Sequence, residues 1–134
     1  MNLKEVEREL DTIRALAKGI LNRAKYRSNP HFISITPDWV VNRFLKIKGR
    51  CEYTGVPLLY KGKRGKKNQN ISHPFRLTID RIDSNKGYHS NNCRLCIWEI
   101  NRFKGVRSAN NLLRDYKKYM NVIMDSIKEN KTRK

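Results

Sequence analysis

The segment from residue 75 to residue 104 constrains the fold most, because two strand patterns and a helix pattern follow one another there at close spacing. Apolar residues alternate with polar ones at its start, at Phe75, Leu77 and Ile79. This period of two predicts a strand with one buried face. A glycine-containing loop is predicted over 83–91, a return strand over 93–96 and a helix from near Ile97. The segment therefore predicts a β-hairpin followed directly by a helix.

A helical pattern lies before this unit, over residues 2–26. Its apolar side chains recur at intervals of three and four, at Leu3, Val6, Leu10, Ile13, Ala17, Ile20 and Ala24. Such a stripe either packs against the rest of the domain or forms the seam of a weak homodimer, and its two alanines favour packing. We therefore expect a monomer, with a homodimer through this N-terminal helix as the alternative.

Two further helices are predicted from their start signals. Thr36, Pro37 and Asp38 combine an N-cap, a first-turn proline and an acid near the positive end of the helix dipole. Gly49 is expected to end that helix, and Ser108 to cap the last one. The apolar stripe of the last helix comprises Leu112, Leu113, Tyr116, Tyr119, Met120, Ile123 and Ile127.

The chain of 134 residues is expected to form one domain of the α+β class. A helical N-terminal region over 1–50 precedes a hairpin-and-helix core at 51–107. A C-terminal helix with a basic tail occupies 108–134.

The charge of the chain points to a polyanionic partner. Its 30 basic and 12 acidic residues give a net charge of +18. A field of this sign favours nucleic acid, whose phosphates release counterions when they are neutralised, although RNA-binding ribosomal proteins share the composition. No apolar run approaches the roughly 18 residues of a spanning helix, and there is no apolar signal core. We therefore expect no membrane partner and a cytoplasmic location.

Nine basic side chains are candidates for contacts with phosphate. Five of them occur in the run over 61–67, which contains no acid and is expected to be a loop. Contacts of this kind position a nucleic acid without reading its sequence. The nine are Lys61, Lys63, Arg64, Lys66, Lys67, Arg94, Arg102, Lys104 and Arg107.

The three cysteines are an odd number, which argues against a framework of disulfides. Cys93 and Cys96 have the spacing of half a zinc site, but Thr54 stands where Cys51 would need its partner. Structural zinc is therefore not expected, and Cys93 and Cys96 are expected to be strand and core residues.

One acid and two amides lie where the hairpin and the helix meet. Asp80 ends the first strand on its polar face, Asn92 begins the return strand, and Asn101 lies in the first turns of the helix. Any one of them alone is more simply explained as a turn residue. Together, a carboxylate and an amide oxygen that converge on one point suit Mg²⁺ or Mn²⁺, and few protein ligands leave room for water and phosphate oxygens.

Five short motifs are spaced through the same part of the chain. They are C-E-Y-T-G at 51–55, D-R-I-D at 80–83, G-Y at 87–88, N-C-R at 92–94 and N-R-F-K at 101–104. As a set they resemble the HNH endonucleases of the ββα-metal fold, in the branch common in phage genomes. The resemblance implies a metal-dependent endonuclease acting on double-stranded DNA, either as a nickase or by cutting both strands. A phage-encoded enzyme would act in the cytoplasm of the host cell.

The resemblance also implies roles for individual residues. Asp80 and Asn101 match the metal ligands of the family, and Asn92 matches the middle asparagine of its name motif. Arg81 departs from the pattern, because it stands where the family keeps the histidine that acts as general base.

An arginine does not give up a proton near neutral pH, but Arg81 can hold the scissile phosphate and stabilise its developing charge. The candidates for the base are then Asp83, His89, His73 or a water molecule, with Asp83 preferred to His89. The missing histidine also supports a second hypothesis, a non-catalytic nucleic-acid-binding protein on a degenerate HNH scaffold.

Overall fold

A computed structural model of the chain describes residues 2–27, 32–61 and 73–132. Within these ranges four helices and one antiparallel hairpin form a mixed fold, which confirms the predicted α+β class. In chain order the elements are α1 (Leu3–Lys25), α2 (Pro37–Lys46), β1 (Leu77–Arg81), β2 (Cys93–Ile97), α3 (Trp98–Lys104) and α4 (Leu112–Thr132).

The β1–β2 hairpin has the register that its alternating apolar side chains require. Leu77 lies opposite Ile97 and Ile79 opposite Leu95, and all four side chains are buried. Burying a leucine or isoleucine contributes about 1.5–3 kcal/mol, so this face anchors the strand pair. β2 leads directly into α3, and α3 packs against both strands. The polar side chain of Asp80 is thereby placed at the end of β1 beside α3.

The apolar stripe of α1 packs within the domain, as predicted. Ile13, Ala17, Leu21 and Ala24 are buried, and α1 packs against α2. Asn2 caps the helix, its side chain accepting a hydrogen bond from the Glu5 amide at 2.9 Å. Leu3, at the start of the stripe, is 75% exposed. A homodimer through this helix stays a prediction.

The start of α2 agrees with its sequence signals. The Thr36 side chain accepts a hydrogen bond from the Trp39 amide at 3.1 Å, and Pro37 is the first helical residue. The helix ends at Lys46, and Gly49, with φ of 69°, belongs to the turn that follows. This turn leads the chain into the C-E-Y-T-G motif.

The last helix begins later than predicted. Ser108 accepts a hydrogen bond from the Asn110 amide at 3.1 Å in a preceding turn, and α4 starts at Leu112. Asn111 has a φ of 60°, so the backbone leaves helical geometry just before α4 and Ser108 is not its cap. An edge-to-face contact between Phe103 and Tyr116, with ring centroids 5.1 Å apart, joins α3 to α4.

All three cysteines are buried free thiols, and Cys93 and Cys96 are strand and core residues as predicted. Burial raises the pKa of the Cys93 thiol to about 12, and it also raises the pKa of Cys96. Across the described ranges, no helix is both long enough and apolar enough to span a membrane.

Candidate functional site

A small pocket of about 200 Å³ lies at the end of β1, beside α3. It brings together Asp80 and Arg81 from the end of β1 and Asn101 from α3. The polar side chains on its wall are Arg27, Asp80, Arg81, Ser84, Tyr88 and Asn101. The carboxylate, the amide and two guanidinium groups thus surround one space that is large enough for a phosphate and water.

Asp80 is held from two sides. The residue is only 4% exposed, and its Oδ2 accepts a hydrogen bond of 2.5 Å from the Tyr53 hydroxyl. Oδ1 accepts one of 3.3 Å from Lys104 Nζ, which also donates to the Arg81 carbonyl at 3.0 Å. A charged partner and a short hydrogen bond hold such a carboxylate in one orientation, because both of its oxygens are restrained.

The C-E-Y-T-G turn reaches Asp80 because Glu52 fastens it to β2. The Glu52 amide donates to the Leu95 carbonyl at 2.9 Å, and Glu52 Oε2 accepts from the Leu95 amide at 2.8 Å. Arg43 forms an ion pair with the same carboxylate. Burial first, and then the hydrogen bond to Asp80, raise the pKa of Tyr53, so its hydroxyl remains a donor at neutral pH.

The burial of Lys104 contradicts its predicted contact with phosphate. Its side chain is 0% exposed and its ammonium group is directed at Asp80. A buried ammonium needs a partner of opposite charge, and the approach of Asp80 supplies it. Lys104 therefore positions the carboxylate from the interior and cannot contact a nucleic acid at the surface.

Asn92, which matches the middle asparagine of the name motif, does not line the pocket with Asp80 and Asn101. Its Oδ1 accepts from the Asp83 amide at 2.9 Å, and its Nδ2 donates to the carbonyls of Asp83 and Gly87 at 3.1 and 2.9 Å. The side chain is 6% exposed. Asn92 therefore shapes the loop between the strands, because it joins the loop's start at Asp83 and its middle at Gly87 to the residue just before β2.

Arg81 closes the same loop while lining the pocket. Its Nη1 donates to the carbonyls of Ser84 and Lys86 at 2.7 and 3.1 Å, and its guanidinium lies 5.2 Å from the ring centre of Tyr88. Nε and Nη2 make no hydrogen bond to the described residues. A guanidinium has five donor hydrogens, so this one can hold the loop and still bind an anion.

The candidate bases lie elsewhere. Asp83 accepts from the Asn85 amide at 2.9 Å and lines a separate pocket. His89 Nδ1 lies 3.1 Å from Ser34 Oγ, and its ring stacks at a tilt on Phe32. His73 Nδ1 accepts from the Phe75 amide at 3.0 Å. The structure therefore does not bring Asp83, His89 or His73 to the pocket with Asp80. Asp83 and His73 accept from amides two residues ahead of them, and His89 packs against the segment at Phe32 and Ser34.

The donor chemistry of the pocket suits a hard divalent ion with few protein ligands. Asp80 and Asn101 offer oxygen donors, and Asn101 Nδ2 donates to Thr78 Oγ1 at 3.1 Å, which orients the amide. No group of three or more His, Cys, Asp or Glu side chains suited to a metal occurs in the described ranges. Mg²⁺ commonly takes one or two protein ligands together with water and phosphate oxygens, so the two residues fit it.

The other basic residues predicted to contact phosphate differ in whether their side chains already have partners within the protein. Lys61 pairs with Glu9, and Arg102 pairs with Glu99. Arg107, just after α3, donates to the Phe103 carbonyl at 2.5 Å, and Arg94 lies 5.2 Å from the ring centre of Tyr53. The remaining predicted contacts fall outside the described residues, and these are Lys63, Arg64, Lys66 and Lys67.

Three residues of the site were not found from the sequence. Arg27 Nη1 donates to the Tyr88 hydroxyl at 3.3 Å, and both line the pocket, while Tyr53 holds Asp80. Tyr53 and Tyr88 belong to the motifs at 51–55 and 87–88, so motif membership was the available signal. Nothing near Arg27 in the sequence marks it, because it reaches the hairpin from the end of α1.

Comparisons with known proteins found no matching family model, no matching curated protein and no matching solved structure. The functional conclusion therefore depends on the residues around the pocket.

Proposed function

We propose that this chain is a divalent-metal-dependent DNA endonuclease of the HNH type, with β1, β2 and α3 forming a ββα-metal core. The observation that carries the proposal is the meeting of Asp80, Asn101 and Arg81 around one pocket. That pocket lies in a chain whose net charge is +18. Oxygen donors beside guanidinium groups suit a metal ion and a phosphate diester at the same place.

Asp80 and Asn101 would hold the ion. When bound, Mg²⁺ or Mn²⁺ supplies Lewis-acid polarisation of the phosphate and stabilises charge on the leaving oxygen. Tyr53 and Lys104 keep Asp80 in one orientation, so the site needs little reorganisation when substrate arrives. The products implied by the family resemblance are a 5′ phosphate and a 3′ hydroxyl.

Arg81 and Arg27 bind the phosphate in this proposal. Both line the pocket, and both offer guanidinium donors whose planar geometry suits phosphate oxygens. Their donors stabilise the negative charge that grows on the phosphate oxygens as water attacks. Apart from Asp80, no carboxylate or imidazole of the described residues lines the pocket, so solvent takes the proton of the attacking water.

A second candidate function is nucleic-acid binding without cleavage. The surroundings of Asp80 favour this function. Both oxygens of its carboxylate already accept hydrogen bonds, one from Tyr53 and one from Lys104. The ammonium of Lys104 also competes with a metal ion for the carboxylate charge. Under this alternative the chain binds DNA in a salt-sensitive way and does not turn over with any divalent ion.

Nicking of supercoiled plasmid tests the proposal. The wild type is expected to convert plasmid to open-circular or linear form with Mg²⁺ or Mn²⁺, and not with EDTA. Asn101→Ala removes a proposed ligand and should abolish conversion, whereas Asn121→Ala, an exposed asparagine on α4, should not. Equal cleavage by Asn101→Ala and the wild type at matched folded fractions would refute the assignment, and tight binding without cleavage would favour the alternative.

A further inference from the structure

A second and larger cleft, of about 530 Å³, lies between α1, β1 and α3. Its walls carry arginines from three parts of the chain. Arg23 comes from the end of α1 and Arg27 follows it, Arg76 precedes β1, and Arg102 lies on α3. Among the described residues that line the cleft there is no aspartate or glutamate. The walls therefore concentrate positive charge in a concave surface, which focuses the field on an entering anion.

Arg76 is the residue in this cleft that most needs a ligand. Its guanidinium lies 4.7 Å from the ring centre of Trp98, and Nη1 is buried without a hydrogen-bond partner among the described residues. Burial, and then the positive charge of Arg23, lower the pKa of Arg76. A buried donor left without an acceptor is costly, and a charged one more so. An anion between Arg76 and Arg23 would supply the missing acceptor.

The basic residues of the cleft differ in whether they have counterions. Arg102 has Glu99 as an ion-pair partner, and Lys61 has Glu9. Within the described part of the chain Arg23, Arg27 and Arg76 have no ion pair, and the only side-chain acceptor for Arg27 is the Tyr88 hydroxyl. The positive charge of the cleft that no described carboxylate compensates therefore lies on Arg23, Arg27 and Arg76.

The cleft is continuous with the pocket at Asp80. Arg27, Ile79, Tyr88 and Asn101 line both spaces. A ligand that fills the pocket and extends beyond Asn101 therefore enters the cleft. A nucleic-acid strand has this form, because it carries one phosphate after another along its backbone.

We propose that the arginine cleft, lined by Arg23, Arg27, Arg76 and Arg102, is a second phosphate subsite. It binds a backbone phosphate of the same strand whose scissile phosphate lies at Asp80. The inference rests on the proposed function for the identity of the strand. Such a subsite holds the strand in position whatever its sequence, because it contacts the backbone and not the bases.

The test is equilibrium binding of a fluorescently labelled DNA oligonucleotide in EDTA, across a series of salt concentrations. One lost phosphate contact lowers the slope of log affinity against log salt by about 0.9, and lowers the affinity near 0.1 M salt by about eightfold. We expect these changes for Arg76→Gln and for Arg23→Gln. The matched control is Arg8→Gln, an exposed arginine on the same helix about 22 Å from Arg23, which should change affinity far less.

Thermal denaturation separates this role from a structural one. Without DNA, Arg76→Gln should melt at the same temperature as the wild type or higher, because it removes an unpartnered charge that Arg23 repels. Inorganic phosphate compared with chloride at equal ionic strength shows whether free phosphate binds as well. Weaker DNA binding together with undiminished thermal stability supports the subsite. Binding by Arg76→Gln equal to that of the wild type, with or without an effect of inorganic phosphate, overturns it.

The plasmid assay, combined with the binding assay, distinguishes a failure of this inference from a failure of the proposed function. If the wild type does not nick DNA in any divalent ion but Arg76→Gln still weakens binding, the nuclease proposal fails and the subsite stands. If the wild type nicks DNA and Arg76→Gln binds and nicks as well as the wild type, the subsite fails and the nuclease proposal stands.

Discussion

Replacing Lys104 with methionine tests the central ion pair of the site. Lys104 Nζ lies 3.3 Å from Asp80 Oδ1 and 3.0 Å from the Arg81 carbonyl, and its side chain is 0% exposed. Methionine fills a similar volume with an apolar chain and supplies no donor. The carboxylate of Asp80 would then stay buried with only the Tyr53 hydroxyl as a partner.

The expected loss of unfolding free energy comes from the Asp80 carboxylate, which keeps its charge but loses its cationic partner. Removing one partner of a buried ion pair costs about 3–5 kcal/mol, because the remaining charge is uncompensated. The hydrogen bond from Tyr53 to Asp80 persists at 2.5 Å, so we expect the lower end, about 3 kcal/mol. With an unfolding entropy of about 2.1 cal/mol/K per residue, the 134 residues give about 0.28 kcal/mol/K. The melting temperature should therefore fall by about 11 °C.

Urea unfolding of four proteins measures this pair. They are the wild type, Lys104→Met, Asp80→Asn and the double variant, with exposed Lys117→Met as the control for the substitution itself. The double variant should be more stable than the sum of the single losses predicts, by about 1–3 kcal/mol, because neither charge is then left alone. A loss below about 0.5 kcal/mol for Lys104→Met, which is typical of a surface change, would refute the burial argument.

Three further changes test the surroundings of the site. Tyr53→Phe removes the hydroxyl that holds the buried carboxylate, and urea unfolding should show a loss of about 1.5–3 kcal/mol, while 82% exposed Tyr26→Phe should show none. Gly87→Ala places a Cβ in steric conflict with the Phe32 carbonyl oxygen, so thermal denaturation should show a loss of about 1–3 kcal/mol; an unchanged melting temperature would contradict this packing. The raised pKa of Cys93, about 12 against a usual 9.0, means that the unfolded chain loses this proton first. Its contribution to the free energy of unfolding is therefore complete below pH 9 and is lost as the pH rises toward 12. In urea unfolding at a series of pH values, Cys93→Ala should therefore lose less stability above pH 9 than the wild type does.

The hairpin and the helices could be predicted because their signals are local. The alternation before Asp80 and the N-cap at Thr36 each involve residues that are neighbours in the chain. Where the local signal was ambiguous, the prediction was wrong: a serine at 108 fits a helix cap, but the turn through Asn111 uses it and α4 begins later. Turn and cap chemistry share the same residue types, so sequence alone does not separate them.

The site could be predicted only in part, and the reason differs from residue to residue. Asp80 and Asn101 were selected for their chemistry and spacing, and the hairpin-and-helix geometry places both on one pocket. Asn92 has the same chemistry as Asn101, but its side-chain oxygen and nitrogen are already hydrogen-bonded to the Asp83 amide and to two carbonyls. Arg76 belongs to none of the motifs, and its buried, unpartnered Nη1 is visible only when α1 and α3 are packed around it.

The sequence by itself determined the class of fold, the strong positive charge and an acid at the end of a strand. These properties depend on composition and on short-range periodicity. Only the tertiary structure decided what each charge does. Tyr53 and Lys104 meet Asp80 from 27 and 24 positions away, and they make it a held carboxylate instead of a solvated one. Burial and partnership arise from contacts between distant segments, so a lysine that looks like a surface contact in sequence becomes an interior support for the site.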